Sequence, residues 1–322
     1  MGMIMKKLFL PLVVLMLVLA GCGGSSSSSS GSSGSVDGGA GNGGGGGADG
    51  GAGGGGDGGS DGEPAAGRVF TIQPGSEASN DMLLAMVSAR PGDTIEFAAG
   101  YFELTSGIQI SSTENILIKG QGMDQTVLSF KNSNTQEGLL ATTVRGITVE
   151  DLTILDSPGD AFKLQGVDHG TLRRVRAFWS SGRLTENEDT VTADNYQQKL
   201  QVACTDPARH NPANPNPLEN DTTSPDYNVS VRSGRYGIYP VNSKNILVED
   251  TESIGASDAG IYVGQTDNAI IRNSRAAFNV FGFEIENVRG GEYVGNLAEC
   301  NTGGFLVYDL DGLTRYGSRT RM

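Results

Sequence analysis

The sequence predicts an all-β fold, a right-handed parallel β-helix, and three observations predict it. Short motifs that begin with glycine recur from residue 237 onward at spacings of 23, 22 and 22 residues. Within each motif apolar residues alternate with others, which is the two-residue period of short strands. Glycine or asparagine recurs where each coil must turn. Because one coil cannot bury its apolar face alone, neighbouring coils must stack into a single-stranded solenoid.

The repeat has two phases. The first phase begins at Gly237, Gly260, Gly282 and Gly304. The second phase begins eight residues after the first two of these glycines, at Asn245 and Asn268. A leucine-rich repeat has a similar period, but its leucine scaffold is missing here, and a WD-type blade is about twice as long. The period therefore favours the coils of a β-helix.

Residues 1–21 have the pattern of a bacterial lipoprotein signal peptide. Two lysines precede a 13-residue apolar run, Leu8 to Ala20, which is too short to span a bilayer. The run leads into Gly21 and Cys22, and this ending resembles the motif that directs lipid attachment to a cysteine. We expect a lipidated Cys22 that anchors the protein in the outer membrane, facing the periplasm or the cell surface. An ordinary signal peptide with an incidental Cys22 is the alternative.

Residues 22–67 are predicted to be a disordered tether. Of the 49 glycines in the chain, 22 lie between Gly23 and Gly67, and the rest of this stretch is mainly serine, aspartate and alanine. A segment of this composition cannot bury a core. The foldable part of the chain is therefore one domain, residues 68–322.

Both ends of this domain, and its middle, depart from the repeat. Asn80 and Asp81 carry an N-cap signal before an apolar stripe, which predicts a helix that caps the first coil. A long insert at about residues 183–234 stands where one turn is expected, and loops of this length are commonly functional or disordered. The sequence stops without a second cap, so we expect C-terminal coils to be missing.

The composition excludes several classes of function. A formal net charge of −14 argues against nucleic-acid binding, which needs a basic surface. Three cysteines and two histidines are too few for a disulfide framework or a multi-histidine metal centre. We expect no cofactor and no metal, with calcium at Asp160 and Asp156 as the alternative. Cys300 is expected to be a free buried thiol, since its separation from Cys204 along the solenoid argues against a disulfide.

Several segments resemble a family of bacterial parallel β-helix repeat lipoproteins in the pectate-lyase-like superfold. The resemblance rests on residues 121–128, 159–163, 236–242, 257–265 and 309–317. It implies a surface or periplasmic lipoprotein whose partner is often an exported c-type cytochrome. It implies no established activity.

Residues 236–242 are also similar to a segment of mannuronan C5-epimerases. In those enzymes Tyr-Gly and an apolar residue precede Asp-Pro-His-Asp, whereas this chain has Tyr239, Val241 and Asn242 where they have Asp, His and Asp. Proton abstraction beside a sugar carboxylate needs a base and a group that neutralises the carboxylate. Val241 can supply neither, so the difference argues against epimerase or alginate-lyase chemistry at this place.

Candidate ligand-binding residues lie two positions after the repeat glycines, where side chains should point outward. This column contains Lys163, Tyr239, Tyr262, Glu284 and Leu306. Its tyrosines and Glu284 could form a strip on which sugar rings stack, and a solvated sheet face is the alternative. Trp179 is either a further ligand platform or a core residue. A second column is expected to form an amide ladder at a coil corner, and it contains Asn242, Gln265, Asn287 and Asp309.

The candidate catalytic residues are Asp160, Lys163, Glu284 and Asp309. Asp160 and Lys163 could belong to a calcium-assisted lyase, with Arg173 and His169 near in phase. Turn capping is the alternative for Asp160, and His169 occupies a corner position that favours a structural role. Glu284 with Asp309 could form the carboxylate pair of a hydrolase. No complete acid–base set can be assembled from these residues.

The sequence therefore favours a membrane-anchored lipoprotein that binds a cell-envelope or extracellular polysaccharide without catalysis. A polysaccharide lyase or hydrolase is one alternative. A structural or protein-partner module that works with an exported c-type cytochrome is the other.

Overall fold

The computed structural model describes residues 67–180, 191–200 and 234–322. The predicted signal peptide, Cys22, the tether and most of the insert lie outside these ranges. The elements before the insert are β1 (Val69–Ile72), α1 (Ala78–Ser88), β2 (Thr94–Phe97), β3 (Gly100–Glu103), β4 (Ile108–Ser111), β5 (Glu114–Lys119), β6 (Thr126–Ser129), β7 (Leu139–Thr142), β8 (Arg145–Leu155), β9 (Phe162–Gln165) and β10 (Asp168–Phe178). They are followed by α2 (Tyr196–Lys199), β11 (Ile238–Val241), β12 (Lys244–Glu249), β13 (Glu252–Ile254), β14 (Ala259–Gly264), β15 (Asp267–Arg272), β16 (Arg275–Ala277), β17 (Phe281–Glu286), β18 (Glu292–Val294), β19 (Leu297–Glu299) and β20 (Gly303–Tyr308).

The strands form two parallel sheets that run along the solenoid. Sheet B has the order β4-β7-β9-β11-β14-β17-β20, so each coil contributes one strand. Sheet A follows the path β1-β2-β5-β8-β10-β12-β15-β18, with β3, β6, β13, β16 and β19 paired beside it. The register joins equivalent positions of the repeat, since Ile238 pairs with Ile261 and Ile261 with Phe283. The predicted parallel solenoid is confirmed.

The corners of the coils explain the recurring glycines and asparagines. At the start of the second repeat phase, Asn115, His169, Asn245 and Asn268 have φ of 55°, 62°, 55° and 56°. In the same column Gly146 and Gly290 have φ of 75° and 68°. Glycine and asparagine adopt this left-handed conformation at the lowest cost. Asn268 Nδ2 also donates to Asn245 Oδ1 at 3.1 Å, which links consecutive coils.

The core is a column of apolar side chains between the two sheets. Ile238, Ile261 and Phe283 occupy one register position on successive strands of sheet B, and all three are fully buried. The Phe283 ring stacks on that of Phe305 in the next coil, with centroids 4.4 Å apart. This inward packing fixes the alternation of the strands, so the residues between these positions face outward.

Helix α1 covers the first coil and buries Ala78, Met82 and Ala85. The predicted cap is confirmed, but its predicted start is wrong. The helix begins at Ala78, and Asn80 lies in its first turn, where its Nδ2 donates to Glu77 Oε2 at 3.1 Å. No helix among the described residues has the length and apolar composition that a membrane span requires.

The described part of the insert, residues 191–200, packs on the outside of sheet A. Val191 and Leu200 are buried there with Phe178 and Ile254 in a second, smaller apolar cluster. Helix α2 lies in this segment, and the Tyr196 ring contacts the Tyr101 ring at a centroid distance of 5.9 Å. These contacts fix this part of the insert against the β-helix.

Candidate functional site

The outward face of sheet B carries one continuous column of chemically distinctive side chains. Strand pairing places Lys163 beside Tyr239, and Tyr262 beside Glu284. The pairing of Ile238 with Ile261 also sets Tyr239 beside Tyr262. Four of the predicted outward residues are therefore neighbours on four consecutive strands, although they are 121 positions apart in the chain (284 − 163).

Three tyrosines form the centre of this face, and we call Tyr236, Tyr239 and Tyr262 the tyrosine cluster. The Tyr236 ring lies 4.7 Å from that of Tyr239 and 4.8 Å from that of Tyr262, between centroids. Tyr239 and Tyr262 meet edge to face at 5.0 Å. Such contacts stabilise aromatic groups and hold their orientations. The cluster is therefore an ordered aromatic surface.

Burial keeps the hydroxyl groups of Tyr236 and Tyr239 neutral. Burial, with the nearby Asp160 carboxylate, raises the pKa of Tyr239 to about 12. Burial also raises the pKa of Tyr236. A neutral tyrosine hydroxyl can donate as well as accept a hydrogen bond. The cluster thus combines apolar ring faces with hydroxyl groups that can interact with a polar ligand.

Gly264 provides the space for the Tyr262 ring. A Cβ atom at Gly264 would lie 2.6 Å from Tyr262 Cε1 and 3.2 Å from the Tyr262 hydroxyl oxygen. The ring therefore lies along its own strand, over the glycine two positions later. Only 7% of Tyr262 is exposed.

Basic groups flank the tyrosine cluster on one side. Lys163 Nζ lies 5.1 Å from the centre of the Tyr239 ring and 3.2 Å from Asp160 Oδ2. The Arg235 guanidinium lies 5.1 Å from the centre of the Tyr236 ring, and its Nε is 3.5 Å from Asp160 Oδ1. Asp160 is 2% exposed, and it holds both cations against the rings. The structure therefore brings the two predicted residues Asp160 and Lys163 together as an ion pair.

Carboxyl groups flank the cluster on the other side. The Tyr308 hydroxyl donates to Glu284 Oε1 at 2.7 Å, while the buried Glu284 Oε2 has no hydrogen-bond partner among the described residues. Burial raises the pKa of Glu284, and the charge of Asp258 raises it further. Burial likewise raises the pKa values of Asp258 and Glu286. This acidic side is defined here as Asp258, Glu284 and Glu286 with Tyr308.

Two predicted site residues lie elsewhere. Trp179 is 1% exposed and donates from Nε1 to the Ser157 carbonyl oxygen at 2.7 Å. The ligand-platform interpretation of Trp179 is therefore wrong, and the core interpretation is confirmed.

Both carboxylate oxygens of Asp309 accept from the Gly317 backbone N–H at 3.0 Å, which closes a loop after β20. The structure gives Glu284 the hydroxyl of Tyr308 as its partner, not Asp309.

The residues considered for a calcium-assisted site have structural partners. Asp156 accepts from both the backbone N–H and the hydroxyl of Ser180, each at 2.7 Å. Arg173 lies on β10 of sheet A, where its Nε donates to Glu150 at 2.6 Å. His169 is a corner residue with φ of 62°. In the part of the chain that the structure describes, no three Asp, Glu, His or Cys side chains come together as metal ligands.

The predicted amide column lies at the corner that follows sheet B. Asn242, Gln265 and Asn287 have φ of 51°, 46° and 49°. The Asn287 side chain accepts from the Leu310 backbone N–H at 2.8 Å and donates to the Leu310 carbonyl oxygen at 3.0 Å. Asn242, Gln265 and Asn287 therefore lie at a coil corner as expected.

Cys300 contradicts its prediction, because it is disulfide-bonded. The chain contains two other cysteines, Cys22 and Cys204, and both lie outside the described residues. The expectation of a free thiol relied on separation along the solenoid. That argument constrains only cysteines that lie within the coils.

Sequence reasoning missed Tyr236, Arg235 and Tyr308. Tyr236 precedes the repeat glycine by one residue, at a position that pairing equates with Ala259 and Phe281. The residues at this position of successive coils share no chemical type, so the period of the repeat could not identify Tyr236. Tyr308 could have been found, because it is four positions after a repeat glycine, in register with Glu286.

A family model described as "Right handed beta helix region" matches residues 220–318. The fold is a right-handed β-helix. Solved β-helix structures similar to this chain include the Azotobacter vinelandii mannuronan C-5 epimerase AlgE6 A-module, with 15% identity, a TM-score of 0.44 and coverage of 70% of this chain and 52% of that one. The chain thus spans about half of that module. The polygalacturonase from Erwinia carotovora ssp. carotovora is similar at 11% identity and a TM-score of 0.42, over 80% of this chain and 85% of that one. Among curated proteins, no sequence matches this chain.

Proposed function

We propose that this β-helix binds a polysaccharide without catalysis, on the outward face of sheet B. The observation that carries the proposal is the tyrosine cluster, three rings whose centroids lie within 5.0 Å of one another. Ring faces can stack on the C–H groups of a pyranose, and hydroxyl and carboxylate groups can hydrogen-bond the sugar hydroxyls. Because the column continues over successive coils, an extended chain of sugars can lie along the solenoid.

A glycan array and calorimetry with the purified chain test this proposal. We expect binding to at least one polysaccharide. Tyr239→Ala should weaken this binding about tenfold, or about 1.4 kcal/mol, since one stacking platform is lost. Tyr316→Ala is the matched control, because Tyr316 is 60% exposed and lies outside the cluster. If no polysaccharide binds, or if both variants bind like the wild type, the proposal is wrong.

A glycoside hydrolase is the second candidate, favoured by one observation. Burial raises the pKa values of Glu284 and Asp258, and the charge of Asp258 raises that of Glu284 further. In a hydrolase, a protonated Glu284 would donate its proton to the glycosidic oxygen. The Asp258 carboxylate would accept a proton from a water that attacks the anomeric carbon as the C–O bond breaks. This function would be established if the protein releases reducing ends from a bound polysaccharide. Glu284→Gln should abolish the release, and Asp309→Asn should retain it. Binding without any release would exclude it.

We also propose that the protein is an outer-membrane lipoprotein anchored through Cys22. The support is the sequence, in which a signal-peptide pattern ends at that cysteine and a glycine-rich segment follows. Cys22→Ser should abolish incorporation of labelled fatty acid and move the protein from the membrane to the soluble fraction. A wild-type chain that carries no fatty acid would contradict the proposal.

A further inference from the structure

Glu284 carries an unused acceptor at the edge of the tyrosine cluster. Its side chain lies beside Tyr262 on the outward face of sheet B, yet only 8% of the residue is exposed. Oε1 accepts from Tyr308, whereas Oε2 is buried and has no hydrogen-bond partner within residues 67–180, 191–200 and 234–322. A buried carboxylate oxygen without a donor is costly. The structure therefore leaves one strong acceptor unsatisfied beside the aromatic surface.

The charges around this position are unbalanced. Asp258 and Glu286 are further carboxyl groups of this face, and both are partly or fully buried. Lys163 pairs with Asp160 and Glu137, and Arg235 shares Asp160 and also acts on Asp258. Among the described residues of this face, five carboxyl groups therefore stand against two basic groups. Such a surface repels an anionic polymer and attracts a cationic group.

Resting on the proposed function, we infer that the polysaccharide is an amino-sugar polymer with free amines, whose ammonium group donates to Glu284 Oε2 while a sugar ring lies on the tyrosine cluster. Hydrogen bonds between charged partners are roughly twice as strong as neutral ones. An ammonium beside tyrosine rings also gains cation–π attraction. One ligand group would thus satisfy the open acceptor, reduce the local negative charge and keep the sugar next to the rings.

Two features argue for a sugar amine over a basic peptide. The partly exposed rings of Tyr236 and Tyr239 offer an apolar surface to a ring-shaped partner. The outward column also continues over successive coils, so an extended polymer can lie along it. A lysine-rich peptide has the charge but no ring to stack. Binding of a basic peptide is therefore an outcome that the test must separate.

The test uses calorimetry with the purified full chain and four probes of equal length. They are a fully deacetylated glucosamine oligomer, its N-acetylated counterpart, an oligogalacturonate and oligolysine. We expect the deacetylated oligomer to bind about tenfold more tightly than the N-acetylated one, and the oligogalacturonate to bind most weakly. Glu284→Gln should remove about tenfold of the affinity for the deacetylated oligomer and change that for the N-acetylated one less than about twofold. Glu103→Gln, an equal change of charge at an exposed residue of β3, should change neither.

Each other outcome is decisive. Equal weakening by Glu284→Gln and Glu103→Gln would mean attraction by net charge alone and would overturn the inference. So would equal affinity for the two glucosamine oligomers, or oligolysine binding as tight as that of the deacetylated oligomer with the same dependence on Glu284. If Glu284→Gln does not fold, the relative affinities of the wild type for the four probes still test the inference. Binding of an N-acetylated or uronate polymer that requires Tyr239 would refute the amine while leaving the proposed function intact.

Discussion

The Tyr308 hydroxyl donates to Glu284 Oε1 at 2.7 Å, across the boundary between two coils. The two residues are 24 positions apart and lie on adjacent strands, β17 and β20. Tyr308 thereby fixes one carboxylate oxygen of Glu284 and leaves the other, buried oxygen without a donor among the described residues. The orientation of the Glu284 carboxylate therefore depends on the pairing of β20 with β17.

Tyr308→Phe should raise the pKa of Glu284 further. Burial and the charge of Asp258 already raise it above the ordinary value of 4.5, whereas the Tyr308 hydrogen bond opposes them. A raised carboxyl pKa means that the folded state holds its proton more tightly than the unfolded state. The stability from this group is thus complete below about pH 4.5 and falls as pH rises towards the folded pKa. In the variant this fall should extend to higher pH.

Carboxyl NMR titration of Glu284, with urea unfolding over a pH series, measures both effects. Tyr316→Phe is the control, since Tyr316 is exposed. A Glu284 pKa that stays constant or falls in Tyr308→Phe would show that the hydroxyl has no such influence.

The fold could be predicted because its rules repeat along the chain. The left-handed corner conformation selects glycine or asparagine, so Asn245 and Asn268 recur at the same place in consecutive coils. The start of the cap helix was predicted less accurately than the coils. Asn80 is a good N-cap residue, but packing of Ala78 against the first coil extends the helix beyond it.

The site could be predicted only where it follows the repeat. Tyr239, Tyr262 and Glu284 share one column, and that column was enough to place them together. Tyr236 and Arg235 belong to the segment where the chain returns from the insert, so no period governs them. Trp179 was ambiguous for the same reason, because only the structure shows the returning chain over its ring. The approach is so close that a Cβ atom added at Gly234 would lie 2.5 Å from Trp179 Cζ2.

Asp93→Asn should destabilise the protein in a manner that depends on pH. Arg68 Nη2 donates to Asp93 Oδ2 at 2.6 Å, and the Arg90 backbone N–H donates to the same oxygen at 2.8 Å. The hydrogen bond from Arg68 is the main cause that lowers the pKa of Asp93 to about 2. A lowered carboxyl pKa contributes stability above the ordinary value of 3.8, and this contribution is lost as pH falls towards about 2.

The wild type should therefore exceed Asp93→Asn in stability near neutral pH, and the gap should narrow below about pH 4. Urea unfolding at a series of pH values measures it, with the exposed Asp81→Asn as the control. A gap that is the same at every pH would mean that the charge of Asp93 is unimportant.

Trp179 should report on the core, not on a ligand. It is the only tryptophan in the chain and is 1% exposed. Its emission should be blue-shifted in the folded protein and poorly quenched by acrylamide, and both properties should disappear in denaturant. Trp179→Ala should cost about 3–5 kcal/mol of unfolding free energy, because it leaves a large cavity and an unpaired Ser157 carbonyl. Ready quenching in the folded protein would contradict the buried position.

Gly264→Ala should damage the tyrosine cluster while leaving the coils in place. The new Cβ would lie 2.6 Å from Tyr262 Cε1, so the ring must move away from Tyr236 and Tyr239. Such overpacking costs about 1–3 kcal/mol. Affinity for any polysaccharide that depends on Tyr239 should fall severalfold, because the aromatic surface is no longer continuous.

The clash can be isolated with a double variant. If the Tyr262 ring causes the cost, adding Gly264→Ala to Tyr262→Ala should change the free energy of unfolding very little, so the two substitutions are strongly non-additive. Gly304→Ala is the matched control on β20, since its nearest neighbour would be Ala298 Cβ at 3.9 Å. Additive effects would place the cost of Gly264→Ala in the backbone of β14. In that case the glycine would serve the coil, and the orientation of Tyr262 would have to come from its contacts with the other two rings.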